Sequence, residues 1–359
     1  MENYDIYLPS YSIGTRIYDK IPEICSAYGK TAVIIGGRTA LKAAAEKIRS
    51  AAAGSGIIIL EEIWYGGEAS YENVELLKKN NSVAEADMLF AAGGGKALDT
   101  CKALGEQLHK PVFTFPTIAS TCAATTAVSI MYYPDGSFKQ PFFLEKPPVH
   151  AFIDTGIIGK APEKYIWAGM GDTYAKYYEA SVSARGDRLV HYLQLGVNVS
   201  QMCVGPVLEY GEKALADIRK GEISYELEQV ILAIVVTTGI ASILLTKEHT
   251  VHYNSGLAHA VFYSLTAYEQ IEKKHLHGEV VAYGVLILLL CDNQREEFER
   301  LYEFHKKTSL PVKLSDMDIT YEEMSRIAQD ISERSDIAHY PYKVSADMVM
   351  KAVDTLENM

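Results

Sequence analysis

The chain has 359 residues with a formal net charge of −12, and 48% of the residues are hydrophobic. This length favours two domains over one and supplies enough apolar residues for a substantial core. The negative charge argues against binding to nucleic acid or to an anionic membrane surface, because such partners require basic patches.

The five cysteines are scattered along the chain and form no C-x-x-C pair. This pattern indicates reduced thiols and predicts a cytoplasmic location rather than a disulfide framework. The first residues lack the basic start and the apolar run of a signal peptide. The longest apolar run, residues 231–246, is short for a membrane span and is interpreted as a buried helix.

Short apolar runs alternate with amphipathic helical segments through the first 150 residues. This alternation is typical of βαβ units and predicts a parallel sheet. The turn sequence Pro134-Asp135-Gly136 predicts a hairpin within residues 132–148. Strands are predicted in residues 31–37, 57–60, 87–92, 111–115 and 151–154, and helices in residues 41–53, 71–85 and 97–108.

Helical periodicity prevails from Pro162 to the C-terminus, with few runs typical of strands. We therefore predict an α/β domain in residues 1–158, with a parallel sheet, and an all-α domain in residues 159–359.

Gly37, Arg38 and Thr39 follow the first strongly predicted strand, and no acidic residue stands at positions 36–39. An acidic residue here would bind an adenosine ribose hydroxyl and favour NAD. Arg38 and Thr39 are instead suited to a 2′-phosphate, so the sequence favours NADP. A solvated arginine on a turn is the alternative interpretation.

The run Gly93-Gly94-Gly95-Lys96 follows a predicted strand and opens a predicted helix. Such glycines allow the backbone to approach a pyrophosphate, and the helix N-terminus supplies amide donors. The run matches neither the dinucleotide fingerprint nor the Walker loop, and a plain tight turn is the alternative. Thr117 and Ser120 follow the next strand at the same edge of the sheet, where parallel sheets bind ligands.

Asp172, His259 and His277 are each preceded or followed by small residues that allow another group to approach closely. One carboxylate and two imidazoles suit a divalent metal with open coordination positions. For Asp172 considered alone, the alternative interpretation is a helix cap, and for His259 considered alone it is a core histidine. Three further histidines, in charged or loop-like surroundings, are competing candidates of lower rank: His249, His252 and His275.

Together these motifs resemble the iron-containing alcohol dehydrogenase superfamily, and within it the glycerol dehydrogenase branch. The resemblance spans nearly the whole chain and implies a dehydroquinate synthase-like architecture with an active site in a cleft between the two domains. It implies that residues 1–158 are the nucleotide-binding domain and that residues 159–359 are the metal-binding domain. It implies that Asp172, His259 and His277 are the metal ligands and the catalytic residues. The cofactor contacts that it implies are Gly94, Gly95, Lys96, Asp99, Thr117, Ser120, Thr126, Val128 and Tyr132.

Two positions depart from the family pattern. Glycerol dehydrogenases carry an aspartate that contacts a substrate hydroxyl where this chain has Cys122, and a thiol is a poor substitute acceptor. Iron-dependent alcohol dehydrogenases carry a histidine ligand where this chain has Lys176. Three ligands then favour zinc, with iron and nickel as alternatives. Lys176 is suited to a substrate carboxylate, although a structural lysine is the alternative. Cys122 and Lys176 are therefore the predicted substrate-binding residues.

The sequence thus predicts a metal-dependent NAD(P)-linked dehydrogenase for a small alcohol, polyol or 2-hydroxy acid, with 2-oxo acid reduction favoured over glycerol oxidation. The alternatives are a lyase similar to dehydroquinate synthase and a nucleotide-binding protein without catalysis. We also expect a homo-oligomer, with residues 5–9 as an exposed edge strand for pairing between copies.

Overall fold

The computed structural model describes residues 3–54 and 56–359. The chain divides into two compact units. The first ends at Pro162 and also includes Gly221–Ile223. The second comprises Glu163–Lys220 and Ser224–Met359.

A six-stranded sheet lies at the centre of the first unit, and its strands follow one another across the sheet in the order Tyr11–Gly14, His150–Asp154, Val112–Pro116, Met88–Gly93, Thr31–Gly36 and Ile58–Trp64. All neighbouring strands are parallel, as predicted. The inner strands are nearly continuous apolar runs, as expected when both faces of a sheet are covered. The strands are β1 (Tyr11–Gly14), β2 (Thr31–Gly36), β3 (Ile58–Trp64), β4 (Met88–Gly93), β5 (Val112–Pro116) and β8 (His150–Asp154).

Aromatic side chains fill the core beside this sheet. Phe115 and Phe152 stack with ring centroids 5.0 Å apart, and Phe90 packs 5.2 Å from Phe115. Burying each ring contributes roughly 2 kcal/mol, and such packing holds the strand ends in fixed positions. The helices of this unit are α1 (Ile21–Cys25), α2 (Arg38–Ala53), α3 (Tyr71–Lys78), α4 (Asn81–Glu85), α5 (Gly95–Leu108) and α6 (Thr155–Ile158).

Three predicted elements of this unit differ from the structure. The helix predicted in residues 71–85 is two helices, because the Asn80 side chain accepts a hydrogen bond from Val83 N and starts α4 anew. Helix α2 begins at Arg38 rather than at residue 41, with Gly37 as its N-cap. Residues 5–9 form no strand, so the edge strand is β1 instead.

The predicted hairpin is present as β6 (Val128–Tyr132) and β7 (Phe138–Phe143), which pair in antiparallel fashion. Its turn is closed by a hydrogen bond of 2.8 Å from Tyr133 N to Ser137 O, and Gly136 has a φ of 92°. Few residues other than glycine adopt that backbone conformation, which explains the glycine at this point.

The second unit, all of whose residues the structure describes, consists of helices and loops without a strand. The helical domain predicted from the sequence is therefore present as a fold class. Its helices are α7 (Lys164–Ser183), α8 (His191–Ser200), α9 (Gly205–Lys220), α10 (Tyr225–Leu232), α11 (Thr238–Leu245), α12 (Leu257–Leu265), α13 (Glu269–Lys274), α14 (His277–Cys291), α15 (Arg295–Thr308), α16 (Tyr321–Glu333) and α17 (Ala346–Glu357).

Helices α10 and α11 are joined by the π-helical turn Ala233–Thr237 into one continuous segment, Tyr225–Leu245. With 21 residues this segment is long and apolar enough to cross a membrane, which is longer than the run recognised in the sequence. However, 72% of its apolar window is buried inside the protein. The segment therefore packs as a core helix, as predicted.

Candidate active site

The three predicted metal ligands lie on three helices that approach one another unusually closely. A Cβ atom on Gly278 would lie 2.0 Å from the carbonyl oxygen of Ala168, and one on Gly171 would lie 2.2 Å from Gly278 O. Helices α7 and α14 are therefore in backbone contact at this point. Gly284 similarly brings α14 against Ala258 of α12, where an added Cβ would lie 2.6 Å from the carbonyl oxygen.

This packing brings Asp172, His259 and His277 together. Their ligand atoms all lie within 4.8 Å of one another. Asp172 Oδ1 is 3.5 Å from His259 Nε2 and 3.4 Å from His277 Nε2. Asp172 lies in the middle of α7 and not at its start, so helix capping does not explain it.

These separations fit a common divalent cation. Ligand atoms about 2.1 Å from a tetrahedral metal lie about 3.4 Å from one another. The side chains of His259 and Asp172 are mostly buried, whereas that of His277 is 33% exposed. The His277 ring is held by the edge-on ring of Phe262, with centroids 4.3 Å apart. The set is thus shielded on one side and open at His277.

Glu179 is a fourth member of the site, and sequence reasoning missed it. This residue is fully buried, and its Oε2 lies 2.7 Å from His259 Nδ1. Its spacing of seven residues from Asp172 on one helix, which returns to nearly the same face, was a usable signal.

The charges of the site reinforce one another. Burial alone would lower the pKa of His259, but the carboxylates of Glu179 and Asp172 raise it to about 10. Burial opposes ionisation of Asp172, yet hydrogen bonds and charge from His259 and His277 hold its pKa well below the usual range. The two buried carboxylates thus favour positive charge at His259, and a divalent cation bound to the cluster would supply that charge in place of the proton.

The competing histidines lie outside this cluster. His275 Nδ1 is 2.8 Å from Glu279 Oε1, and the exposed His252 ring stacks on His339 with centroids 5.0 Å apart. His249 adopts a positive φ of 58° in the loop before α12. None of the three belongs to the metal-ligand group found among the described residues.

In the first unit, three predicted cofactor loops meet at the carboxyl edge of the sheet. Gly36 of β2 pairs with Ala92 of β4, and Thr117 N donates to Gly93 O at 3.1 Å. Gly93 has a φ of 156°, and an added Cβ would lie 2.8 Å from Ala97 Cβ. Gly94 is the N-cap of the 14-residue helix α5, whose first amides are thus available to a phosphate.

Other predicted cofactor contacts lie around the same helix start. Gly95 is its first residue, and an added Cβ there would lie 3.2 Å from Thr121 Oγ1. Lys96 Nζ contacts Glu68 Oε2 at 2.5 Å and lies 5.1 Å from the centre of the Tyr132 ring. Ser120 is partly exposed in the loop after β5. These side chains remain predicted cofactor contacts.

Asp99, Thr126 and Val128, which are also predicted cofactor contacts, belong to a network of hydrogen bonds around a buried lysine. Lys102 Nζ lies 2.8 Å from Asp99 Oδ1 and donates to Thr126 Oγ1 at 2.9 Å and to Val128 O at 2.6 Å. Asp99 Oδ2 accepts from Ile130 N at 3.1 Å. These contacts tie the hairpin to α5, which is an observed structural role.

Known proteins match the chain along most of its length. A family model described as iron-containing alcohol dehydrogenase matches residues 9–155. A glycerol dehydrogenase from Thermotoga maritima is 33% identical over 82% of this chain and 82% of its own length. The chain belongs to the iron-containing alcohol dehydrogenase family. It lies in the glycerol dehydrogenase-like branch, as predicted, and is an oxidoreductase of the alcohol dehydrogenase type.

Two further similarities bear on this family member. Hydroxycarboxylate dehydrogenase A of Escherichia coli is 30% identical over 91% of this chain and 89% of its own length. The crystal structure of glycerol dehydrogenase from Schizosaccharomyces pombe has a TM-score of 0.86 at 23% identity, covering 100% of this chain and 91% of that one. The predicted fold class, a dehydroquinate synthase-like architecture, is confirmed.

The two departures from the family pattern have different surroundings. Lys176 is buried, and its Nζ donates to Asn254 O at 2.5 Å and to Asn254 Oδ1 at 2.9 Å. Two of its three donors therefore hold the loop before α12, a structural role. Cys122 is partly exposed in the loop after β5, where its carbonyl oxygen accepts from Thr125 N at 3.0 Å.

Arg38 and Thr39 are both exposed in the first turn of α2. The Arg38 guanidinium lies 4.5 Å from the ring centre of Trp64, whose side chain is 45% exposed at the end of β3. Trp64 pairs with Gly36 in the sheet register, so the stacked pair lies beside the first glycine turn. Sequence reasoning missed Trp64, because only strand pairing brings it to Arg38.

Proposed function

We propose that this family member is a metal-dependent, NAD(P)-linked oxidoreductase that transfers a hydride between nicotinamide and a small alcohol, polyol or 2-hydroxy acid. The close grouping of Asp172, His259 and His277 is the observation that carries this proposal. A divalent cation bound there supplies Lewis acidity to a substrate oxygen, and bound nicotinamide supplies or accepts the hydride. Zinc is the favoured metal, with iron and nickel as alternatives.

Each side chain of the site has a separate proposed role. Asp172 provides the negative charge, and His259 and His277 provide neutral nitrogen ligands. The partial exposure of His277 leaves a path for substrate. Phe262 fixes the orientation of that ring through an edge-on contact. Because a bound nicotinamide would carry the hydride chemistry, no protein nucleophile would be required.

Metal removal tests this proposal. Chelation should abolish turnover, and added zinc should restore it. Asp172→Ala and His277→Ala should bind no stoichiometric metal and should lose activity while remaining folded by circular dichroism. The control is His252→Ala, because His252 is exposed and lies outside the ligand group. Full turnover in either ligand variant would overturn the assignment, and a reaction without net cofactor consumption would favour the lyase.

We propose 2-oxo acids and 2-hydroxy acids as the favoured substrate class. Cys122 lacks the acceptor strength of an aspartate for a polyol hydroxyl, and the similarity to a hydroxycarboxylate dehydrogenase supports the same direction. Two N–H groups of the Lys176 ammonium donate to Asn254. We propose that the third N–H group binds the substrate carboxylate. Glycerol is the competing substrate, because the chain is also similar to a glycerol dehydrogenase.

A matched assay separates the two substrates. NADPH with a small 2-oxo acid is compared with NAD and glycerol, using the same zinc-loaded protein. Lys176→Met should raise KM for the 2-oxo acid more than KM for glycerol, and Cys122→Asp should favour glycerol. Faster glycerol oxidation by the unaltered protein would overturn the preference for 2-oxo acids.

We propose NADP as the favoured cofactor, bound with its 2′-phosphate at Arg38 and Thr39 and its pyrophosphate at the glycine turns that include Gly37, Gly94 and Gly95. An exposed guanidinium at the end of β2 is suited to a phosphate. Equal affinity for NADPH and NADH would contradict this preference.

We also propose a homo-oligomer in the cytoplasm. The edge strand β1 and the segment before it carry exposed Tyr7, Leu8 and Tyr11, an apolar strip beside an unpaired sheet edge. No disulfide joins the five cysteines, all of which lie in the described part of the chain, and thiols are expected in a reducing compartment. Sedimentation should show an oligomer that Tyr11→Lys weakens, and a monomeric unaltered protein would overturn the proposal.

A further inference from the structure

Glu179 contacts His259 at two points. Its Oε2 lies 2.7 Å from the ring atom Nδ1, and its Oε1 accepts a hydrogen bond of 2.9 Å from the backbone nitrogen of His259. The residue is fully buried. An ionised carboxylate only accepts hydrogen bonds, so Nδ1 must carry the proton in this pair. The other ring nitrogen, Nε2, then faces Asp172 Oδ1.

We infer that Glu179 is a positioning residue of the metal site, an inference that rests on the proposed metal-dependent function. By holding the proton on Nδ1, it keeps the lone pair of a neutral His259 on Nε2, where a cation needs it. It also fixes the ring plane and adds a negative charge directly behind the ligand. Glu179 itself coordinates nothing.

The same carboxylate supports the helix that carries His259. Helix α12 begins after Gly256, which has no side chain to cap the first amides. Tyr340 OH accepts from Leu257 N at 2.8 Å, and Glu179 Oε1 accepts from His259 N. A Cβ on Gly256 would lie 2.4 Å from Tyr340 OH and 3.0 Å from Glu179 Cγ. The glycine thus leaves room for both caps.

Replacement by glutamine separates the two roles. In Glu179→Gln the amide oxygen can still accept from His259 N, so the helix start keeps its partner. The amide NH2 group would face Nδ1, which favours the tautomer with the proton on Nε2. That proton would point at the ligand cluster and oppose metal binding.

The chain offers a matched control. Glu279 contacts the ring of a histidine outside the ligand cluster, since its Oε1 lies 2.8 Å from His275 Nδ1, and its Oε2 accepts from the backbone nitrogen of the next residue, Leu276, at 2.9 Å. Glu279→Gln therefore makes the same chemical change to a buried histidine–glutamate pair without altering a predicted ligand.

The experiment measures zinc affinity by competition with a chromogenic chelator, and thermal unfolding of the metal-free protein. Glu179→Gln should weaken zinc binding roughly 10- to 100-fold, the usual effect of losing a carboxylate behind a histidine ligand. The metal-free variant should still unfold cooperatively, at a lower temperature than the unaltered protein, because the buried charge pair with His259 is lost. Glu279→Gln should keep the affinity of the unaltered protein.

Three outcomes would overturn the inference. The first is unchanged zinc affinity in Glu179→Gln. The second is an equal loss of affinity in Glu279→Gln. The third is a metal-free Glu179→Gln protein that unfolds without a cooperative transition, because the lost affinity would then reflect a merely structural role. Failure of the unaltered protein to bind zinc, iron or nickel would instead refute the proposed metal-dependent function.

Discussion

The sheet edge of the first unit and the ligand cluster of the second differ in how they are built. At the sheet edge, consecutive residues such as Gly93 and Gly94 present backbone amides, and strand pairing aligns the loops. In the cluster, Asp172, His259 and His277 come from three helices that meet through glycine contacts. The sheet edge thus depends on local backbone conformation, and the cluster depends on how closely distant helices approach.

The largest effect should come from separating those helices. In Gly278→Ala the new methyl group would lie 2.0 Å from the carbonyl oxygen of Ala168. Since backbone must move, unfolding free energy should fall by about 3 kcal/mol or more, and zinc affinity should fall with it. Denaturant unfolding and zinc titration measure both quantities. The control is Gly205→Ala, where nothing lies within 4 Å of the added atom and little change is expected.

The second largest effect should come from acid, which should lower the free energy of unfolding of the helical unit. His305 is fully buried, its Nδ1 donates to Pro311 O at 2.8 Å, and its Nε2 therefore accepts from Tyr174 OH at 2.7 Å. Burial lowers the pKa of His305 to about 4. The unfolded chain then binds more protons below pH 6.5, so stability falls as the pH drops from about 6.5 towards 4.

The contribution of His305 to this loss is roughly 2 kcal/mol at pH 5. Urea unfolding at pH 7.5 and at pH 5 measures it, and His305→Gln should show a smaller difference between the two pH values. Because Tyr174 lies on the helix of Asp172, acid would loosen the support of the cluster. The same pH dependence in both proteins would contradict the prediction.

A backbone change at the sheet edge should lower the free energy of unfolding by about as much as the titration of His305 does, or by less. Gly93→Ala places a side chain at a φ of 156° and 2.8 Å from Ala97 Cβ. Such strain costs about 2 kcal/mol of unfolding free energy. Zinc affinity should remain unchanged, which distinguishes this variant from Gly278→Ala. Gly37→Ala is the matched control, because the nearest atom to the added Cβ is Tyr65 Cε1 at 3.8 Å.

The smallest effect concerns the choice of cofactor. Arg38→Ala should weaken NADPH binding about tenfold and leave NADH binding nearly unchanged, because a charge-assisted contact to the 2′-phosphate is lost. The chain has two tryptophans, and Trp64 lies under Arg38, so quenching of tryptophan fluorescence reports binding directly. Arg49→Ala is the control, since Arg49 pairs with Glu62 on the surface. Equal losses for both cofactors would contradict a 2′-phosphate contact.

Local patterns in the sequence were sufficient for much of this structure. The apolar strand runs, the Pro134-Asp135-Gly136 turn and the change to helical periodicity after Pro162 each depend on neighbours in the chain. The break at Asn80 was missed because a side-chain cap decides it and periodicity does not reveal such a contact. The helix start at Arg38 was missed because its N-cap, Gly37, has no side chain that would mark it. The buried network of Asp99 and Lys102 was missed for a related reason, since its partners lie on the hairpin.

By itself, the sequence determined the order of strands and helices and named Asp172, His259 and His277 as a set, because residue type and nearby glycines carry that chemistry. Only the tertiary structure decided that these ligand atoms lie within 4.8 Å of one another, that Glu179 stands behind His259, and that Asn254 holds Lys176. The physical reason is that helix packing and buried hydrogen bonds join residues far apart in the chain, whereas periodicity and capping signals extend over only a few residues.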